Sequence, residues 1–102
     1  MLHFGLATAD EIAQELGNRL RAHRLAQNLQ QNELAARAGV STRTLGEFER
    51  SGRGSLDVFL RLAMALGLSE SMSTLFELKA KSIKDMETAS QKRQRASRKE
   101  AG

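Results

Sequence analysis

A threonine, an arginine and a glutamate stand at helical spacing in the segment STRTLGEFER, residues 41–50. At roughly 100° per residue, Thr42, Arg43 and Glu47 fall on the side of a helix opposite Leu45 and Phe48. Arginine can donate two hydrogen bonds to O6 and N7 of guanine, glutamate can accept from N4 of cytosine, and threonine can contact a phosphate or a thymine methyl group. The pattern therefore predicts a helix face that reads base edges of DNA. The alternative is a solvated polar face with an Arg43–Glu47 ion pair, which contributes roughly a few tenths of a kcal/mol.

The residues around this face have the spacing of a helix-turn-helix motif. Apolar or small side chains occupy the positions where the two helices and the turn meet: Leu34, Ala35, Ala38, Val40, Leu45 and Phe48. A small residue at Ala35 lets the second helix cross closely, and Gly39 can turn the chain in the left-handed conformation. Such a motif presents its second helix to the major groove, and Gly46 would let the backbone approach closely.

Capping residues and apolar periodicity predict an all-α fold. Five helices are expected. The first runs from the Thr8–Glu11 capping box to about Gln27, the second from Gln31 to Ala38 and the third from Thr42 to Arg50. The fourth runs from the Ser55 cap to the stop at Gly67, and a short fifth helix runs from Ser69 through Phe76. In the first helix, Ile12, Leu16, Leu20 and His23 form the expected buried stripe. In the fourth helix, the expected stripe is Leu56, Phe59, Leu60, Ala63 and Leu66.

The charge is distributed unevenly along the chain, whose net charge is +4. Residues 1–78 contain 8 arginines and 9 acidic residues, whereas residues 79–102 contain 8 basic and 3 acidic residues. We therefore predict an N-terminal arm over residues 1–8, a DNA-binding domain over residues 9–78 and a basic, partly disordered or helical tail over residues 79–102. Such a tail either adds unspecific phosphate affinity or only aids solubility.

Composition excludes several function classes. The chain has no cysteine and two histidines, and no acidic pair or glycine-rich loop suggests catalysis or phosphate transfer. We expect no enzyme activity, no cofactor and no metal site. The first residues lack a signal-peptide pattern, and no apolar run approaches the roughly 20 residues that span a bilayer. We expect a cytoplasmic, nucleoid-associated protein with no membrane contact.

The segment from Leu16 to Leu68, with QNELAARAGVS at residues 31–41, resembles the XRE family of phage repressor and Cro-type regulators. The resemblance implies a repressor-type domain in which Gln31 reaches the DNA backbone or an outer base, Thr42, Arg43 and Glu47 read bases, and the following loop touches phosphate. It also implies an ion pair between Arg24 and Glu49. The full set of candidate DNA-binding residues is Gln31, Ser41, Thr42, Arg43, Thr44, Glu47, Arg50, Ser51 and Arg53. Family members often read bases with glutamine or asparagine, so the operator sequence does not carry over.

The flanking segments TADEIAQELGNRLRAHR, GSLDVFLRLAMALGL and STLFEL, followed by a charged tail, resemble the DNA-binding partners of HipA-type kinase toxins. This resemblance implies a homodimer that binds an inverted repeat in double-stranded DNA, represses its own toxin–antitoxin operon and docks the kinase. The alternatives are a stand-alone XRE repressor and a protein-interaction module that has lost DNA binding. The expected dimer contact is Leu68, Met72, Leu75 and Phe76, because this is much apolar surface for so short a helix. The alternative is that these residues only close the monomer core.

Overall fold

The computed structural model describes residues 2–78 and Ser90, and the predicted basic tail lies outside the described residues apart from Ser90. Within residues 2–78 there is no strand, and four α-helices carry the fold: α1 Ala9–Ala26, α2 Gln31–Ala38, α3 Thr42–Ser51 and α4 Leu56–Ala65. Two short 3₁₀ helices, Phe4–Leu6 and Glu70–Met72, flank them. The all-α prediction is thus confirmed, and the bounds of the first four helices agree with the predicted ones to within two residues.

Helix α1 begins at the predicted capping box. The Thr8 hydroxyl accepts a hydrogen bond from the Glu11 amide at 3.1 Å, and the Thr8 amide donates to the Glu11 carboxylate at 3.0 Å. The predicted buried stripe of α1 is wrong in one position, because His23 is exposed and Arg24 is buried instead. Gly17 and Leu20 are the other buried residues of α1, so its inner face follows positions 17, 20 and 24.

The turn between α2 and α3 is built as the motif predicts. Gly39 adopts φ 71°, in the left-handed region where residues with a Cβ are strained. The Val40 amide then donates to the Ala35 carbonyl at 3.0 Å, and the half-buried Val40 side chain packs against the core. Ser41 ends the turn by accepting a hydrogen bond from the Thr44 amide at 3.0 Å, which starts α3.

One hydrophobic core lies among the four helices. Leu34, Leu45 and Leu62 are fully buried, one from each of α2, α3 and α4. Helix α2 packs against both α3 and α4, and α1 packs against α3. Leu29, in the loop before α2, is also buried and belongs to this core, although it lies on no predicted helix.

The crossing of α1 and α3 is so close that it depends on two glycines. A Cβ atom on Gly17 would lie 2.3 Å from the Phe48 carbonyl oxygen, and one on Gly52 would lie 1.9 Å from the Ala13 carbonyl oxygen. Gly52 also ends α3 with φ 72°. The backbones of α1 and α3 are therefore in direct contact, which leaves the opposite side of α3 uncovered.

The buried face of α4 and the segment that follows it both differ from the predicted ones. Helix α4 turns Leu62 and Ala63 inward and Leu66 is buried at its C-cap, whereas Leu56 is 70% exposed and Leu60 is also exposed. The predicted fifth α-helix is wrong: a single 3₁₀ turn, Glu70–Met72, is followed by turns, and Phe76 adopts φ 55°. A residue with positive φ cannot belong to a right-handed helix, so Phe76 lies outside any such helix, and the 3₁₀ turn already ends at Met72. No helix within residues 2–78 is long and apolar enough to cross a membrane.

Candidate DNA-binding surface

The outer face of α3 carries the three predicted reading residues. Thr42, Arg43 and Glu47 are all exposed, while Leu45 and Phe48 on the same helix are buried. Thr42 and Arg43 lie in the first turn after the Ser41 cap. This is the part of a helix-turn-helix protein that approaches base edges, so the helix presents these side chains as the sequence pattern requires.

Glu47 forms an ion pair with Arg50, one turn further along α3. The alternative pairing of Glu47 with Arg43 is therefore wrong, and within residues 2–78 Arg43 forms no ion pair. Both Glu47 and Arg50 are largely exposed, so their pair is weak and can open when another partner arrives. Arg43 on the outer face of α3 therefore remains available to contact a base or a phosphate.

The hydroxyl groups at the start of α3 are engaged within the protein. The Ser41 hydroxyl donates to the Thr44 hydroxyl at 2.8 Å, in addition to accepting from the Thr44 amide. Thr44 is half-buried, whereas Ser41 is exposed. These two candidate DNA-binding residues therefore fix where α3 begins, and Arg43 lies in the first turn after this cap.

The loop after α3 is fixed by Ser51 and presents Arg53. The Ser51 hydroxyl donates to the Glu47 carbonyl at 2.8 Å and accepts from the Arg53 amide at 3.2 Å. Arg53 is exposed, and within the part of the chain that the structure describes it forms no ion pair. Ser51 thus orders the loop, and Arg53 supplies the cation at its surface.

Arg24 and Glu49 join α1 to the end of α3. The Arg24 guanidinium donates to both carboxylate oxygens of Glu49, at 2.7 and 3.0 Å, and to the Leu29 carbonyl at 2.8 Å. Both side chains are buried, with 8% and 3% of their surface exposed. The hydrogen bonds that Arg24 donates to Glu49 raise the pKa of Arg24 above its ordinary value, although burial opposes this shift. The arginine is therefore always charged, and each charge has its partner.

Gln31 extends this ion pair to the start of α2. Its amide nitrogen donates to Glu49 at 3.2 Å, so Glu49 receives hydrogen bonds from both α1 and α2. The sequence pattern assigns Gln31 only to DNA and does not reveal this bond. The side chain of Gln31 is half-buried, and the bond holds it beside α3 instead of leaving it to sample solvent.

Comparison with known families identifies the domain. The family model described as "Helix-turn-helix" matches residues 20–72, which span the last part of α1 and all of α2, α3 and α4. The chain belongs to the XRE-type helix-turn-helix family. This membership makes the protein a DNA-binding transcription regulator, a class whose domains are typically not enzymes. No curated protein matches the chain in a sequence search.

The structure of this helix-turn-helix protein divides the four residues of the predicted dimer contact. Leu68 and Met72 are half-buried and pack against the core, as the monomer alternative expects. Leu75 and Phe76 are 55% and 96% exposed. Within residues 2–78, no group of histidine and acidic side chains is arranged to hold a metal ion. Of the four residues of the predicted dimer contact, Leu75 and Phe76 are therefore the two whose side chains are exposed on the protomer.

Proposed function

We propose that this protein is a sequence-specific repressor that binds an inverted repeat in double-stranded DNA as a homodimer. In this proposal it represses its own toxin–antitoxin operon and binds a HipA-type kinase toxin. Thr42, Arg43 and Glu47 read base edges, while Gln31, Arg50 and Arg53 contact the backbone. Ser41, Thr44 and Ser51 hold these groups in place and add hydroxyl contacts to phosphate.

The position of Arg43 is the observation that most directly supports sequence-specific DNA binding. It is exposed in the first turn of α3, beside an ordered N-cap, and forms no ion pair within residues 2–78. A guanidinium in this position can reach O6 and N7 of a guanine, and such a bidentate contact discriminates by about 1–3 kcal/mol. A sequence preference at one base position of each half-site follows from this contact.

The homodimer is supported by the exposed pair Leu75 and Phe76. Phe76 is almost fully exposed, and Leu75 and Leu78 close to it in sequence are exposed as well; a contiguous apolar patch on a surface is a sign of a protein interface. These residues follow α4, on a different segment from the reading face of α3. Two protomers joined there could place two α3 helices in successive major grooves, about 34–36 Å apart.

The kinase partnership is supported by the segments outside the motif. The capped start of α1, the sequence of α4 and the STLFEL segment resemble the DNA-binding partners of HipA-type kinases. The cluster of basic residues over 79–102 adds a charged segment that a repressor can place on phosphate. A stand-alone repressor of the same family is the competing function.

Purification of the tagged protein, expressed from its native operon, tests the proposal. We expect a complex that contains a kinase-like protein and two copies of this chain, and that binds the DNA upstream of the operon in preference to unrelated DNA. A kinase-free dimer with the same DNA preference would contradict the toxin partnership and leave a stand-alone repressor. A folded dimer without any DNA affinity would leave only a protein-interaction module.

A further inference from the structure

An open cleft lies between α1, α2 and α3, next to the reading face. Its volume is about 410 Å³, and six residues line it: Asn18, Arg21, Gln31, Gly46, Glu49 and Arg50. A water molecule occupies roughly 30 Å³ of liquid, so the cleft has room for a phosphate group and several waters. Asn18 and Arg21 belong to α1, which the sequence pattern connects with α3 through the Arg24–Glu49 ion pair but not with DNA.

The chemistry of the cleft favours an anion with several acceptor oxygens. Arg21 and Arg50 bring two guanidinium groups, and Asn18 and Gln31 bring two amides. The single acidic lining residue, Glu49, already receives hydrogen bonds from Arg24 and Gln31. Arg21 is exposed and forms no ion pair with any other residue in the described range 2–78. A phosphodiester is the anion that such donors bind most readily on a DNA-binding domain.

The position of the cleft relative to α3 identifies which phosphodiester can reach it. Gly46 and Arg50 line the cleft from the same helix that carries Arg43 and Glu47. A duplex that accepts α3 in its major groove has a strand of backbone along each side of the helix. The side toward α1 is the cleft, and Gly46 adds no side chain that would fill it. A Cβ atom there would have its nearest neighbour, the Gln31 amide, at 3.8 Å.

We propose that Asn18 and Arg21 of α1, together with Gln31 and Arg50, bind a phosphodiester of the operator backbone in this cleft. The inference rests on the proposed function, because it takes the DNA to be the duplex that α3 reads. The contact carries no base information, and it fixes the position of the domain along the groove. Gln31 is held in the cleft by its bond to Glu49, so the Arg24–Glu49 pair also orders this phosphate site.

Arginine substitutions on α1 provide a matched test. Arg21→Ala removes the cleft cation, and Arg19→Ala removes an equal charge two residues away on the same helix. Arg19 points to the other flank of α1, where it bonds Glu15 at 2.9 Å and lies 5.1 Å over the Phe4 ring. Binding of each variant is measured against salt concentration, on the duplex upstream of the gene and on an unrelated duplex of equal length. Circular dichroism checks that both variants are folded.

Affinity should fall less steeply with salt concentration for Arg21→Ala than for Arg19→Ala, on both duplexes. In a plot of log affinity against log salt, the slopes should differ by about 0.9 per protomer, because Arg21→Ala loses one phosphate contact. Asn18→Ala should weaken binding and leave the slope unchanged, since the amide is neutral. Equal slopes for Arg21→Ala and Arg19→Ala, with the preference for the upstream duplex intact, would overturn the phosphate cleft and leave the proposed function standing. If Arg21→Ala has the less steep salt dependence but the unsubstituted protein does not prefer the upstream duplex, the phosphate site in the cleft would be supported and autoregulation would be overturned. Absence of binding to either duplex would overturn both.

Discussion

Arg24 donates hydrogen bonds to both carboxylate oxygens of Glu49, and the two side chains are buried between α1 and the end of α3. The pair joins α1 to α3 near the place where the two helices also meet backbone to backbone, at Gly17 and Gly52. A third bond, from Arg24 to the Leu29 carbonyl, ties the loop before α2 to the same point. The buried ion pair and the close backbone contact therefore both hold α3 against α1.

Removal of either charge from this pair should destabilise the fold. Arg24→Ala and Glu49→Ala should each lower the free energy of unfolding by about 3 kcal/mol or more, because each leaves a buried charge without its partner. The double variant should lose less than the sum of the two single losses. Denaturant unfolding of the four proteins measures these values, and strict additivity would mean that the two side chains do not interact in solution.

The close crossing of α1 and α3 predicts that Gly17→Ala is destabilising, although alanine is the better helix former by about 1 kcal/mol. The new Cβ would lie 2.3 Å from the Phe48 carbonyl oxygen, and a backbone atom cannot move aside as a flexible side chain can. We expect a net loss of about 1–3 kcal/mol from overpacking.

Gly46→Ala is the matched control for this substitution. Gly46 is also in a helix interior, but its Cβ would have its nearest neighbour at 3.8 Å, so the fold should gain about 0.5–1 kcal/mol. Thermal unfolding of both variants measures the difference. A Gly17→Ala protein that is as stable as Gly46→Ala would contradict the backbone contact between α1 and α3.

Leu75 and Phe76 should support the dimer. A variant with Leu75→Glu and Phe76→Lys should sediment as a folded monomer, because both side chains are exposed in the protomer and contribute little to its core. Leu68→Ala is the informative comparison, since Leu68 packs against the core and its truncation should lower stability instead. A double variant that remains dimeric would exclude this surface as the dimer contact.

The sequence was sufficient for the motif and for the bounds of α1 and α4, but not for the faces that α1 and α4 bury. Gly39, Val40 and the Ser41 cap have local effects on the backbone, so their pattern predicts the turn and the start of α3 directly. The exposure of His23 and the burial of Leu62 could not be predicted in the same way. They depend on the angle at which α1 and α4 meet their neighbours, and a shift of one residue in a helical stripe changes which side chain is buried.

Two features of the candidate site depend on contacts that are distant in sequence. The Gln31–Glu49 bond and the cleft at Asn18 and Arg21 form only when α1, α2 and α3 are assembled. The single 3₁₀ turn in place of a fifth helix reflects another limit. Apolar spacing through Leu75 and Phe76 favours a helix, but the 3₁₀ turn ends at Met72, and Phe76 has a left-handed backbone that no right-handed helix contains.

A binding-site selection on the unsubstituted protein, Arg43→Ala and Arg53→Ala tests the central claim most directly. The unsubstituted protein should select an inverted repeat with a guanine at one position of each half-site, because Arg43 lies in the first turn of α3. Arg43→Ala should lose the preference at that position alone, whereas Arg53→Ala should weaken all sequences about equally and lower the salt slope. If Arg43→Ala weakens binding evenly and keeps every base preference, then Arg43 contacts phosphate, and the outer face of α3 does not read the operator as proposed.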